Sequence, residues 1–196
     1  MTASTLTARP ARTSEVDTVS ALCLAAFADE AVTAWVLADP DAPLAAMRET
    51  FTASLVAAVE AEALVVAVTA ADDAVGASIW LDSDGTSPDN LMPAGDARTS
   101  GRTAMVRSLT SARHPRVPHV YLSAMAARPE CRGLGAGSAM LRYGLDRAHR
   151  LSLPVYLEAS TPQSRKLYAR HDFVDQGPPL PLPDSGPVLQ PMWHEA

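Results

Sequence analysis

An α/β domain is predicted by three features of this chain. Strand-like and helix-like apolar patterns alternate along it, a glycine-rich junction near residue 133 joins a strand pattern to a helix pattern, and the composition can fill one core. The 196 residues are 47% apolar and include Trp35, Trp80 and Trp193, which suits a single domain over 1–196.

Leu6 to Arg9 is read as a short first strand. Ser14 to Phe27 is read as a helix capped by Ser14, with Val16, Val19, Leu22 and Leu24 as its apolar stripe. Ala31 to Leu37 forms a second short helix before Asp39-Pro40, and Pro43 to Glu60 a longer one carrying Leu44, Met47, Phe51 and Leu55. Ala63 to Thr69 and Val75 to Leu81 read as strands joined in a hairpin at Asp72-Asp73. From Asp82 to Pro93 the chain is rich in Ser, Asp, Gly and Pro and reads as loop, before a helix over Ala97 to Ala112. This insertion, about 82–117, ends at His114-Pro115-Arg116-Val117-Pro118.

Val117 to Ala127 is the next strand, with Val120, Leu122 and Met125; beyond the glycines Met140, Leu141, Leu145 and Ala148 recur at helical spacing. Pro154 to Ser160 reads as a strand and Pro162 to His171 as a short helix. The prolines between Gly177 and Pro191 are expected to stiffen a connection into a closing strand, Val188 to His194; the alternative is a polyproline ligand for an SH3-like partner.

Composition narrows the partners. A net charge of −6 and a pI near 5.3 argue against nucleic acid, whose phosphates demand basic patches, and suit a cationic substrate. Cys23 and Cys131 are too few for a disulfide framework and form no Cys-x-x-Cys pair, which points to a reducing cytoplasm. No signal-peptide pattern opens the sequence, and acidic residues interrupt or bound its most apolar window, Ala53 to Ala71, so no membrane partner is expected. His149 reads as compensation of a helix C-terminus, and His171 and His194 lack metal-like partners, so no metal is expected.

Chemistry concentrates at Pro129-Glu130-Cys131-Arg132-Gly133-Leu134-Gly135-Ala136-Gly137-Ser138. Glycines at alternate positions open a helix there. Its first N–H groups lack intrahelical acceptors and its dipole is positive, so a phosphate or pyrophosphate can dock on the main chain. A Walker loop would need a closing Lys-Ser/Thr pair, which is absent. A dinucleotide fold would place its glycines early in a repeating βαβ pattern, whereas only one such unit follows here.

What remains is Arg/Gln-x-x-Gly-x-Gly/Ala, matched by Arg132, Gly135 and Gly137. It resembles the acetyl-CoA pyrophosphate loop of the GNAT acetyltransferases. The likeness runs over about residues 118–176. Leu157-Glu158-Ala159-Ser160-Thr161-Pro162, with Tyr168, Arg170 and Phe173, looks most like the bacterial branch containing puromycin N-acetyltransferase. The resemblance implies a single mixed, mostly antiparallel twisted sheet of six to seven strands, flanked by helices and splayed at its two central strands. It also implies a monomer or homodimer.

The resemblance further implies that an amine attacks the thioester of acetyl-CoA, or of another short acyl-CoA, directly. Arg132, Gly133, Leu134, Gly135, Ala136, Gly137 and Ser138 would cradle the pyrophosphate. Met125 and Ala127 would offer main-chain groups to the pantetheine arm and the thioester oxygen. Tyr168 aligns with the family's general acid. Glu158 is the first candidate base, with His119 or water as alternatives. Ser164 stands where relatives often have a cofactor-contacting asparagine, and Asp172 where they have glycine. The acceptor pocket would draw on Phe27, Asp29, Glu30, Trp35, Trp80, His119 and Tyr121, aromatics and carboxylates that suit a cationic amine with an apolar body. An aminonucleoside antibiotic, and hence a role in antibiotic resistance, is one acceptor this implies. Acetylation of a protein N-terminus or lysine, or a catalytically weak CoA-sensing or partner-binding role, are the alternative functions.

Overall fold

A computed structural model describes residues 6–28, 30–39, 44–86 and 101–196, with the main chain alone for 44–47. Its elements are β1 Thr7–Pro10, α1 Val16–Phe27, α2 Ala31–Leu37, α3 Leu44–Glu60, β2 Leu64–Val68, β3 Ala74–Ser83, α4 Gly101–Arg113, β4 His119–Ala127, α5 Ala136–Leu151, β5 Val155–Ala159, α6 Pro162–Ala169, β6 Val174–Asp175, β7 Leu180–Pro181 and β8 Val188–His194. The strands form one sheet in the order β1-β2-β3-β4-β5-β8-β6, with β7 paired to β8. Every pairing is antiparallel except β4 with β5. The count exceeds the expected six to seven because β6 and β7 are two-residue strands, too short to leave a period in the sequence.

The sheet is covered on both faces. Leu64, Val66 and Val68 point toward α1 and α3, where they pack with Val19, Leu22 and Leu55, while Val65 and Ala67 join Val120, Met140 and Leu141 beneath α5. A strand buried on both faces reads as a continuous apolar run, which is why β2 was legible. A smaller core, with Trp35, Val36, Leu180, Leu182 and Leu189, sits where α2 and α4 cover the β7–β8 hairpin.

Several local expectations are corrected. Ser14 lies in a 3-10 turn, Thr13–Glu15, in which Glu15 Oε2 accepts the Arg12 N–H at 2.7 Å, so Ser14 does not cap α1. Leu24 is exposed and Cys23 is buried in its place. β3 runs on to Ser83, past the expected end at Leu81, because its pairing with β4 continues out to Ser83↔His119. Pro43, the loop over 87–93 and residues 97–100 of the expected helix lie outside the described residues. The proline tail is held as a hairpin with its leucines buried, an arrangement incompatible with a free polyproline ligand.

Two features prepare a site. β4 carries an extra residue, Ser123, opposite the junction of Ile79 and Trp80, and this bulge bends the strand. Past it, β4 and β5 separate: their only registered pairs are Val120↔Val155 and Tyr121↔Tyr156, although β4 continues to Ala127 and β5 to Ala159. The sheet therefore splays in its middle, opening a wedge toward the carboxyl ends of both strands, where ligands dock in open α/β sheets.

Candidate active site

Main-chain polar groups line one wall of the wedge. Arg128 N–H donates to Val75 O, toward β3. By strand alternation the N–H and C=O groups of Met125 and Ala127 point the other way, into the wedge that β5 has left. Beyond Ala127 a 3-10 turn, Pro129–Cys131, leads to Gly133 and Gly135, whose φ values are 78° and 98°. These left-handed values favour glycine. Nothing lies within 4 Å of a Cβ built on either, so the loop opens to a ligand.

Leu134 N–H donates to Cys131 O and Ala139 N–H to Gly135 O. Among the described residues no acceptor engages the N–H groups of Gly133, Gly135, Ala136, Gly137 or Ser138. Unpaired N–H groups at the start of a sixteen-residue helix are an arrangement able to accept an anion. Gly137 has a second role: a Cβ there would stand 2.8 Å from Leu167 Cδ2, so its missing side chain lets α6 approach α5. Arg132 does not face the cradle freely, since its Nη2 donates to Ala26 O at 3.0 Å and ties the loop to the end of α1. The Ser138 hydroxyl pairs with His171 Nε2 at 3.0 Å. Ser164 closes the first turn of α6 instead of reaching outward: its Oγ donates to Thr161 O and accepts from Thr161 N–H. Asp172 takes the left-handed conformation, φ 64°, that its replacement of glycine demands.

Tyr168, near the end of α6, is buried against Phe173. Its hydroxyl has no hydrogen-bond partner among the described residues. Burial, and then the charge of Glu30, push its ionisation far above the ordinary phenol range, so it is held as a proton-bearing donor. Glu30 itself N-caps α2: Oε2 accepts from Thr33 N–H at 2.8 Å and from the Thr33 hydroxyl at 3.2 Å. Its other oxygen, Oε1, is buried without a partner.

Glu158 sits on β5 two residues past the last pair with β4. Tyr121 Oη donates to its Oε2 at 2.9 Å, while Oε1 and the Tyr156 hydroxyl are buried and unpartnered. Burial raises the Glu158 acid above its usual range and the Tyr121 bond opposes the rise. Beneath lies a histidine pair. His119 Nδ1 is 2.7 Å from Val117 O; a carbonyl only accepts, so Nδ1 carries the hydrogen and Nε2 is the acceptor for His114 Nε2–H at 3.0 Å. Burial pushes His114 down to about 4 and lowers His119 too, keeping the pair neutral.

The proposed acceptor residues are not all brought together. His119 is fully buried and bonded to His114, which corrects its place among the pocket residues and its candidacy as a base. Trp80 is core: its Nε1–H donates to Ser78 Oγ and its ring fills the space above Gly144, where a Cβ would lie 2.1 Å away. Phe27 packs edge-on against Phe51. Tyr121 serves Glu158. Trp35 is buried with α2, one ring face covered by the Arg102 guanidinium at 4.7 Å. Asp29 lies outside the described residues. His114, Tyr156 and Trp193, which close the aromatic cluster around Tyr121, went unnoticed in the sequence; the alternation of Tyr156 with Glu158 along β5 was the available signal.

Comparison with known proteins agrees with this geometry. Residues 24–173 match the model of the Acetyltransferase (GNAT) family, and the chain belongs to that family, an acetyltransferase family whose members generally use acetyl-CoA. It is similar to a Corynebacterium glutamicum structure described as histone acetyltransferase HPA2 and related acetyltransferase, with 27% identity over 97% of this chain and 96% of that one, and a TM-score of 0.70. The polyamine N-acetyltransferase of Drosophila melanogaster, an enzyme that forms N-acetylagmatine, is 18% identical, with 98% and 100% of the two chains covered and a TM-score of 0.73. A mosquito arylalkylamine N-acetyltransferase-like protein, 5b, is also 18% identical, with the same coverage and a TM-score of 0.69. At 18% these two likenesses speak for the fold.

Proposed function

We propose that the chain is an acetyl-CoA-dependent N-acetyltransferase that passes an acetyl group to a small cationic amine by direct attack of the amine. The observation that carries this reading is the five unpartnered N–H groups of the glycine loop that follows β4, one wall of the wedge; the buried phenol of Tyr168 and the unpartnered carboxylate oxygens of Glu158 and Glu30 are its candidate acid and base groups. Structural relatives that act on polyamine, agmatine and arylalkylamine support the substrate class.

Gly133, Gly135 and the first turn of α5 would hold the pyrophosphate, and the main-chain groups of Met125 and Ala127 would align the arm of the coenzyme. Bound acetyl-CoA supplies an activated acyl carbon and a thiolate leaving group. The chain must do the rest. An alkylamine near pKa 10.4 is almost wholly protonated at pH 7, a deficit of about 4 to 5 kcal/mol, so a base must take its proton. Glu158 Oε1 is buried and unpartnered, and burial raises its acid above the ordinary carboxylate value, a shift in the direction that suits a general base. Tyr168, locked in its protonated form, would hydrogen-bond or protonate the departing sulfur.

A second carboxylate competes for the base role. Glu30 has its orientation fixed by Thr33 and keeps a buried, unpartnered Oε1 in the field of Tyr168. Thiol release from acetyl-CoA over a panel of amines, read against a blank without amine, tests the reading. Release that depends on small cationic amines supports it; release only with peptide substrates, or none above the blank, overturns it.

A further inference from the structure

The start of α5 carries a second feature beside its unpaired N–H groups. The Ser138 hydroxyl lies 3.0 Å from His171 Nε2, a contact between residues 33 apart in the chain. Both side chains are half-buried, so neither is sealed from a ligand. The turn that bears the imidazole is fixed by its own backbone: His171 N–H donates to Tyr168 O at 2.8 Å, and Asp172, at φ 64°, turns the chain toward Phe173. A Cβ on Gly137 would stand 2.8 Å from Leu167 Cδ2, so α6 is packed directly on the turn of α5 that contains Ser138.

A hydroxyl has one hydrogen to donate and two lone pairs with which to accept. In the pair with His171 the Ser138 oxygen can accept from Nε2–H, which leaves its hydrogen for a third group. The N–H of the same residue is among the five without an acceptor. An anion at the start of α5 would therefore meet both donors of Ser138, with the imidazole directly behind them. The groups facing His171 are Arg142, one turn beyond Ser138 on α5, Arg170 and Asp172 on either side of it, and His194 on β8. Burial, and then the two arginines, hold its ionisation below the ordinary 6.5; Asp172 opposes them and His194 lowers it further. The free chain thus carries a neutral imidazole near neutrality, one that a neighbouring anion would recharge.

We infer, building on the acetyl-CoA reading of this loop, that His171 is a cofactor-positioning residue. Its Nε2–H holds Ser138 Oγ so that the hydroxyl hydrogen meets a pyrophosphate oxygen, and the pyrophosphate in return draws a proton onto the ring. Cofactor binding is then accompanied by proton uptake. The bound state holds more protons than the free one, so affinity rises as pH falls toward the ionisation of the free imidazole.

The test uses dephospho-CoA, which lacks the phosphomonoester of CoA and so brings no group of its own that titrates near neutrality. Calorimetry at about pH 6.5 in Mes and in Bis-Tris, buffers of different ionisation enthalpy, reads the protons exchanged on binding. We expect the wild type to take up about half a proton per ligand and His171→Gln, which keeps a donor but cannot charge, to take up none. Wild-type affinity should rise about tenfold between about pH 8 and about pH 6, the gain from a shift of one unit in one group, while that of His171→Gln stays within about twofold. A second readout needs no variant to fold: among the five histidines, one imidazole proton resonance of the wild type should titrate at higher pH with dephospho-CoA bound than without it. Binding without proton uptake, uptake that persists in His171→Gln and disappears in His194→Gln, or histidine titrations that the ligand leaves unmoved would each overturn the inference while leaving acetyl transfer untouched. Proton uptake seen without any acetylated product would count against the transferase reading and leave this one standing, and absence of binding would overturn both.

Discussion

Tyr121 donates its phenolic hydrogen to Glu158 Oε2 at 2.9 Å, across the gap that opens immediately after Tyr121↔Tyr156, the last pair joining β4 to β5. The bond pins one carboxylate oxygen at the mouth of the splay and leaves Oε1 to a ligand. Burial drives Tyr121 and Tyr156 far above their usual ionisation, so both keep their phenolic hydrogens, and the Tyr121 bond stabilises a charged Glu158 when it forms.

Glu158→Gln tests this arrangement twice. The folded-state acid of Glu158 lies above its ordinary value of 4.5, so between the two values the folded chain binds more protons than the unfolded one. Its contribution to stability is complete below pH 4.5 and is lost as pH rises through the folded value. The Tm advantage of the wild type over Glu158→Gln should therefore shrink as pH rises. In kinetics, the variant should lose the acid limb of the kcat/KM profile, its deficit being largest above that limb, where the wild-type carboxylate is ionised and can take the proton of the amine. A limb that persists in Glu158→Gln and vanishes in Glu30→Gln moves the base to Glu30.

Gly135 and Gly137 separate binding from packing. Gly135→Val forces a β-branched residue to φ 98° in open space, a strain of about 1 to 3 kcal/mol that distorts the cradle. Acetyl-CoA should then fail to raise Tm, and affinity should fall tenfold or more by calorimetry. Gly137→Val meets Leu167 instead and should lower Tm in the absence of any ligand. Wild-type acetyl-CoA affinity in Gly135→Val would refute the cradle.

Tyr168→Phe removes a proton donor and little else, because the ring stays packed on Phe173. Turnover should fall roughly ten- to a thousandfold, with acetyl-CoA affinity within about twofold of wild type. Unchanged turnover on the best amine would end the acid role.

The histidine pair links pH to stability in the opposite sense from Glu158. His114 is held near 4 against an ordinary 6.5, so the unfolded chain takes up a proton first and stability falls as pH drops from about 6.5 toward 4. His114→Phe keeps the ring and loses the proton uptake. Its unfolding free energy should decline less steeply across that window, by up to about 1.4 kcal/mol per pH unit. A parallel decline in both proteins would show that the pair does not titrate with folding.

Much of this was legible because it depends on local patterns. The doubly buried β2, the amphipathic α5 and the glycine junction each leave a period or a spacing in the sequence, and Asp172 in a glycine position announced a left-handed turn. What stayed hidden depends on contacts between distant segments. No residue type marks the bulge at Ser123, yet that bulge aims Met125 and Ala127 into the wedge. Trp80 looked like an aromatic of the pocket and proved to be core because Gly144, far along the chain, leaves space for its ring. His119 looked like a pocket residue because its partner His114 comes from the end of α4, and no periodicity ties a helix end to the strand beside it.

Transfer itself is the central claim, and one measurement addresses it directly. Acetyl-CoA carrying ¹³C in the acetyl carbonyl is incubated with the protein and a small cationic amine, and the label is followed by NMR. The account predicts that the thioester carbonyl signal disappears only when protein and amine are both present, giving one equivalent of N-acetylamine for each free CoA thiol. Loss of the thioester at the same rate without amine, or with the label recovered as acetate or fixed to the protein, would contradict it.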